Sequence, residues 1–226
     1  MMISHRYRCV FAHVPKCAGT SIKRLLELEP VKPPYWHCYW EEAEHVLGGD
    51  TLASYFKFTV VRNPWDRVVS AWRMFLDKAW CKQGRDYNLR ELVAVSIDES
   101  IPYVARYASR DEQVRWERSV ENIRHHTLPS LHPYYGMADA SGAVRIDEVI
   151  DYRALDDGFE RVRRRLGLAH ARLPRENGTR HDHYSRYFDV ETRAIVAAHF
   201  AADIHAFGFT FDDLAADPRR GSDRAR

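Results

Sequence analysis

Twice in its first third the chain runs from an apolar segment, through a short polar loop, into a stretch of helical periodicity. In the first unit, Tyr7 to Val14 (YRCVFAHV) is mostly apolar, aromatic or β-branched and stops at Pro15, as a buried strand does. The loop Pro15-Lys16-Cys17-Ala18-Gly19-Thr20-Ser21 follows. Thr20 or Ser21 is placed to cap a helix, and Ile22, Leu25 and Leu26 recur at helical spacing until Pro30 blocks continuation. The second unit reads Tyr55 to Val61 (YFKFTVV), a break at Asn63-Pro64, then Val68, Val69, Trp72, Phe75 and Leu76 on one helical stripe from Asp66 onward. Strands alternating with helices predict an α/β fold: a mostly parallel sheet covered on both faces, which binds ligands beyond the carboxyl ends of its strands. Both loops lie at such ends.

The rest of the chain extends this pattern. VKPPYWHCYW is too rich in proline and aromatics to be regular, and EEAEHVLGGD predicts a short helix ended by Gly48 and Gly49. Between Cys81 and Met137 come charged amphipathic helices, then a His/Pro-rich loop (LPSLHPYYG). AVRIDEVIDY predicts a strand, and DDGFERVRRRLGL a capped helix with Phe159, Val162 and Leu166 inward and its arginines on a solvated face. VETRAIVAAHFAADIHAFGF predicts one amphipathic helix followed by a glycine. One domain is expected over residues 1–215, with a mobile tail over 216–226.

Composition narrows the function classes. Apolar residues make up 45% of 226, enough to bury a core, and a net charge of +2 supplies no field to hold a nucleic-acid backbone. The four cysteines form no CxxC pair, so neither a zinc ribbon nor a disulfide scaffold is expected. Charges interrupt the N-terminal segment, leaving no signal-peptide core, and no run approaches a membrane span. A cytoplasmic protein without an integral membrane segment is expected.

Both loops carry the chemistry of phosphate sites. In the first, helix-start amides, a glycine, Lys16 and the hydroxyls of Thr20 and Ser21 can cradle an anion. It is not a Walker loop, since Lys16 precedes Gly19 and no GKS or GKT occurs. In the second, Arg62 at a strand end and Ser70 in the following helix can converge on one phosphate, although Arg62 and Asp66 can equally pair with each other.

HVPKCAGTS followed by FKFTVVRNPWDRVVSAW resembles the paired signatures of sulfotransferases that use 3′-phosphoadenosine 5′-phosphosulfate (PAPS), in the branch of bacterial carbohydrate-type enzymes and heparan sulfate 2-O-sulfotransferases. IDEVIDYRALDDGFERVRRRLGL and the segment from Leu173 to Phe209 resemble the family's closing half, whereas residues about 80–140 match poorly. The resemblance implies a P-loop-like parallel sheet flanked by helices, and sulfuryl transfer from PAPS to a hydroxyl of a glycan or small molecule. By position it implies Lys16, Cys17, Ala18, Gly19, Thr20 and Ser21 at the 5′-phosphosulfate, and Arg62 and Ser70 at the 3′-phosphate. Cys17 stands where relatives usually carry threonine.

Transfer needs a base for the acceptor proton. His37 matches a histidine that precedes a short helix in these relatives, and its ordinary pKa near 6.5 suits the task. His132, His45, Glu41 and Glu42 are alternatives. The pairs His125-His126 and His181/His183 lack a third ligand at defined spacing, so no metal is expected. The stretch 177–187 is expected to form a loop over the nucleotide, with Arg180 or Arg186 near a phosphate. Aromatic side chains at Tyr35, Trp36, Tyr39, Trp40, Trp72 and Trp80 can line an acceptor pocket or belong to the core. A non-catalytic PAPS/PAP-binding module and a nucleotide-dependent small-molecule kinase are the competing readings.

Overall fold

The strand expected over Tyr7 to Val14 is shorter in the computed structural model, which describes residues 1–82, 86–169, 172–174 and 182–213. Five strands are present among the described residues: β1 (Met2–Ser4), β2 (Cys9–Ala12), β3 (Glu29–Pro30), β4 (Phe56–Val61) and β5 (Glu148–Asp151). They form one sheet in the order β3-β1-β2-β4-β5. β2, β4 and β5 run parallel, with Phe11 opposite Phe58 and Val61 opposite Asp151. β1 and β3 add an antiparallel edge, which the sequence reading did not contain.

The helices among the described residues are α1 (Gly19–Leu26), α2 (Trp40–Leu47), α3 (Gly49–Ser54), α4 (Pro64–Asp77), α5 (Leu89–Ile97), α6 (Arg110–Glu117), α7 (Val120–Thr127), α8 (Leu155–Arg165), α9 (Val190–His199) and α10 (Ala201–Phe207). Three expectations need correction. The cap of the first helix is Ala18, and both Thr20 and Ser21 lie inside its first turn. Gly48 ends α2 as expected, but Gly49 opens α3 instead of continuing a loop. The long C-terminal helix is two, because Phe200 leaves helical dihedrals (φ −102°, ψ 21°) while its ring is buried beneath the Arg67 guanidinium, 5.1 Å from the ring centroid.

Both faces of the parallel strands are covered, so side chains alternate between two cores. Cys9 and Phe11 pack with Ile22, Leu26, Phe159 and Val162 of α1 and α8. Val10 packs the other way, with Trp40, Ala43 and Leu52 of α2 and α3. A further core joins α4, α5, α7 and α9 around Val69, Phe75, Leu92, Ile123 and Val196. Along α8, Arg163 and Arg164 pair with Glu160 of the same helix and Arg161 with Glu148 of β5. The expected tail over 216–226 lies outside the described residues, and no described helix is long and apolar enough to cross a membrane.

Candidate active site

The carboxyl ends of the three parallel strands deliver three segments to one edge of the sheet. β2 runs into the loop from His13, β4 into Arg62, and β5 into Tyr152. The buried Thr59 hydroxyl donates to the Ala12 carbonyl at 2.7 Å and ties the first two ends together. Arg62 then connects all three segments. Its Nε donates to Asp66 at 2.7 Å, its Nη1 donates to the Lys16 carbonyl at 3.0 Å, and its guanidinium carbon lies 4.3 Å from the centroid of the Tyr152 ring. Burial works against this charge, yet Asp66 and Tyr152 raise the guanidinium pKa above its ordinary value. The Arg62–Asp66 pair is therefore real, and neither bond uses Nη2. Ser70 is buried about two turns into α4.

The first loop is strained, and the helix it begins has no side-chain cap. Lys16 (φ 67°) and Ala18 (φ 60°) both hold left-handed backbone, which costs a non-glycine residue on the order of 1–2 kcal/mol. Such conformations concentrate where a loop must present its backbone to something. Ala18 has no side chain able to cap, so the first amides of α1 receive no cap bond from it. Burial, then the neighbouring Arg62, pulls the Lys16 ammonium down to about 8, which marks a cation that gains from a nearby anion. Cys17 is turned into the core, where burial pushes its thiol up to about 11, so it offers the loop backbone only. The glycine has a specific cause: a Cβ at Gly19 would stand 2.0 Å from His13 Nε2.

Behind Gly19, histidine rings run inward. His13 stacks on His37 with centroids 4.8 Å apart and planes 15° apart. His37 Nδ1 lies 2.9 Å from His125 Nε2, and His125 Nδ1 lies 2.8 Å from the Tyr103 carbonyl oxygen. Burial, the largest cause for each, keeps all three neutral: His13 is lowered to about 3, His125 to about 4, and His37 well below the usual range, the last also by His125 and His13. His37 Nε2 is buried with no hydrogen-bond partner. His37 also lines a cleft of about 330 Å³ together with Tyr35, Tyr39, Tyr134, Lys32, Glu42 and Arg106.

The alternatives to His37 are otherwise engaged. His132 Nδ1 accepts from the Tyr134 amide at 3.2 Å, capping a 3-10 turn over Pro133–Tyr135. Glu41 accepts from the Ala140 amide at 2.6 Å, and His45 is exposed on α2. Glu42 borders the cleft, but it accepts from the Tyr39 amide at 3.0 Å and pairs with Lys32. Burial opposes its charge; those two partners nevertheless hold its carboxyl below the ordinary value. Of the six aromatics considered for a pocket, Tyr35 and Tyr39 line the cleft, Trp40 is buried in the core and Trp80 is exposed. His126 bonds within α7 to the Asn122 carbonyl at 2.9 Å. Arg180 and His181 lie outside the described residues, and Arg186 pairs with Asp182 at 3.5 Å. No group of three or more His, Cys, Asp or Glu among the described residues is arranged to hold a metal ion.

His13 and His125 were missed as site residues. His13 had a signal, since it stands two residues before the loop that opens at Pro15; His125 is 88 residues from His37 and had none.

The carboxyl ends of the parallel strands gather a half-buried lysine, a buried arginine and a helix start without a side-chain cap, at the edge where open α/β sheets bind ligands. The family model for sulfotransferases matches residues 1–210, and the chain belongs to the sulfotransferase family. Neither the curated proteins nor the solved structures gave a significant match.

Proposed function

We propose that this sulfotransferase uses PAPS as donor and an acceptor hydroxyl, on a glycan or small molecule, that enters by the cleft beside His37. One observation carries the reading: His37 borders the acceptor-sized cleft and also stacks on His13, the ring that abuts the open loop at Gly19. The donor set fits a phosphosulfate, because Lys16 is a half-buried cation and the start of α1 lacks a side-chain cap. PAPS, when bound, supplies a sulfuryl group whose bond to the 5′-phosphate oxygen breaks as the acceptor oxygen bonds to sulfur.

Each residue then has a task. Lys16 and the amides of Gly19, Thr20 and Ser21 stabilise the charge that builds on the departing phosphate oxygen. The backbone of Cys17 and Ala18 shapes that cradle. Arg62, through Nη2, and Ser70 hold the 3′-phosphate. His37 Nε2 takes the acceptor's hydroxyl proton. A polyanion held by Lys16 also raises the basicity of the neighbouring imidazoles, since negative charge favours their protonated form.

The test combines two measurements. Small-molecule and glycan libraries incubated with protein and PAPS are searched by mass spectrometry for a gain of one sulfate. His37→Ala should slow transfer to any hit by roughly 10²–10⁴ while leaving PAP affinity nearly unchanged. PAP binding without any sulfated product would instead define a non-catalytic module.

A further inference from the structure

His37 can act as a base through Nε2 only if its single ring proton sits on Nδ1, and the surroundings decide where that proton goes. The Tyr103 carbonyl can only accept, so the 2.8 Å contact requires a proton on His125 Nδ1. A neutral His125 then presents a bare Nε2. The 2.9 Å contact from His37 Nδ1 to that nitrogen is a hydrogen bond only when His37 donates. A neutral His37 that donates from Nδ1 has a lone pair on Nε2, the buried atom without a partner.

We propose that His125 is a positioning residue: its bond from His37 Nδ1 fixes the His37 tautomer and ring angle that leave Nε2 free to accept the acceptor's proton. This rests on the reading of His37 as base, and it adds a residue from α7, in the stretch where the family resemblance was weakest.

The relay is itself held in place. Arg124, the residue before His125, donates to the carbonyls of Glu99 (3.1 Å) and Ile101, while His125 takes that of Tyr103, so adjacent positions of α7 gather alternate carbonyls of one segment. The Tyr135 hydroxyl donates to the His125 carbonyl, and Trp116 meets the His125 ring edge-on at 5.0 Å. A ring constrained by a carbonyl on one side and an indole on another cannot rotate to offer His37 a proton instead. The same logic, a base oriented and kept in one tautomer by a third group, governs hydrolytic triads, although here the third group is a neutral imidazole.

The experiment uses the full chain labelled with ¹⁵N-histidine, at neutral pH, with and without PAP, together with transfer kinetics on whichever acceptor gains sulfate. In the wild type the imidazole nitrogen shifts of His37 should show a protonated Nδ1 and a bare Nε2. His125→Phe keeps an aromatic ring but removes the acceptor, so His37 should move toward the Nε2-protonated form. Turnover should then fall about 10²-fold, at the lower end of what a general base contributes, with acceptor KM and PAP affinity little changed. His125→Gln, which restores an acceptor, should recover part of both the tautomer and the rate. An Nε2-protonated His37 in the wild type, or a tautomer indifferent to His125→Phe in a folded protein, overturns the proposal. If the tautomer responds as stated while His37→Ala leaves transfer intact, the positioning by His125 stands and the reading of His37 as base falls.

Discussion

The two loops face one local problem, beginning a helix after a buried strand, and they solve it in opposite ways. At α4 the start is closed by its own residues. Asn63 Oδ1 accepts from the amides of Trp65 (3.1 Å) and Asp66 (3.4 Å), Pro64 fills the first turn, and Asn63 Nδ2 donates to the Thr210 carbonyl at 2.8 Å. At α1, Ala18 takes the cap position in left-handed backbone and contributes no side-chain bond. A self-satisfied helix start has little left to offer a ligand, whereas an open one attracts an anion. On the proposed reading, changing charge falls at the first loop and fixed geometry at the second.

Lys16→Ala is the sharpest way to break that contrast. It should lower single-turnover transfer by roughly 10²–10³, the scale for losing one group that stabilises developing negative charge, with a smaller effect on donor affinity. A proportional loss of binding with an unchanged chemical step would make Lys16 a binding residue only.

Arg62→Ala comes next. Charge-assisted hydrogen bonds contribute on the order of 1.5–3 kcal/mol, so PAP should bind about 10- to 150-fold more weakly. Calorimetry with adenosine 5′-phosphosulfate, which has no 3′-phosphate, divides the effect. A much smaller loss there supports the 3′-phosphate assignment; equal losses mean that Arg62 serves the site only by holding the Lys16 carbonyl.

Acid should loosen the first loop from behind. His13 and His125 are buried neutral, with folded pKa values of about 3 and 4, below the unfolded value near 6.5. Their stabilising effect is complete above that unfolded value and is lost as pH falls through the window toward 4. Each contributes a slope of about 1.4 kcal/mol per pH unit there. Urea unfolding at pH 7 and pH 5 reads this directly, and His13→Asn should flatten the dependence. An unchanged dependence in that variant would mean that other groups dominate.

Asn63→Ala should have the smallest effect, about 1 kcal/mol of stability from the lost cap, visible as a lower urea midpoint. Transfer per folded molecule should stay near wild type. A collapse of activity out of proportion to stability would show that the closed start is not merely a brace.

What could be read in advance follows the distances along the chain. Both loops were legible because strand, proline break, cation and helix lie within a few residues of one another, so local chemistry announces them. β1 and β3 escaped because strands of three and two residues carry no period. The split at Phe200 escaped because helical periodicity continues across it, and only the tertiary seat of the Phe200 ring beneath Arg67 reveals the turn. That Lys16, Gly19 and Arg62 follow the ends of neighbouring strands could be read from sequence; the reason for Gly19 could not, since the ring it accommodates is His13. His125 looked like half of an incomplete metal pair until α7 brought it against His37.

The bond from Arg62 to the Lys16 carbonyl makes the edge of the sheet a ruler. With Thr59 pinning β4 to the end of β2, the backbone at the two cationic stations keeps one spacing, and only the reach of the Lys16 side chain adjusts to what lies between them. A ligand bearing anionic groups at both ends engages the stations together only when its own span equals theirs. On this reading, lengthening or shortening the spacer between the two charged ends of a donor analogue forfeits one grip outright, so selectivity among nucleotides comes from span before any contact with a base or a sugar.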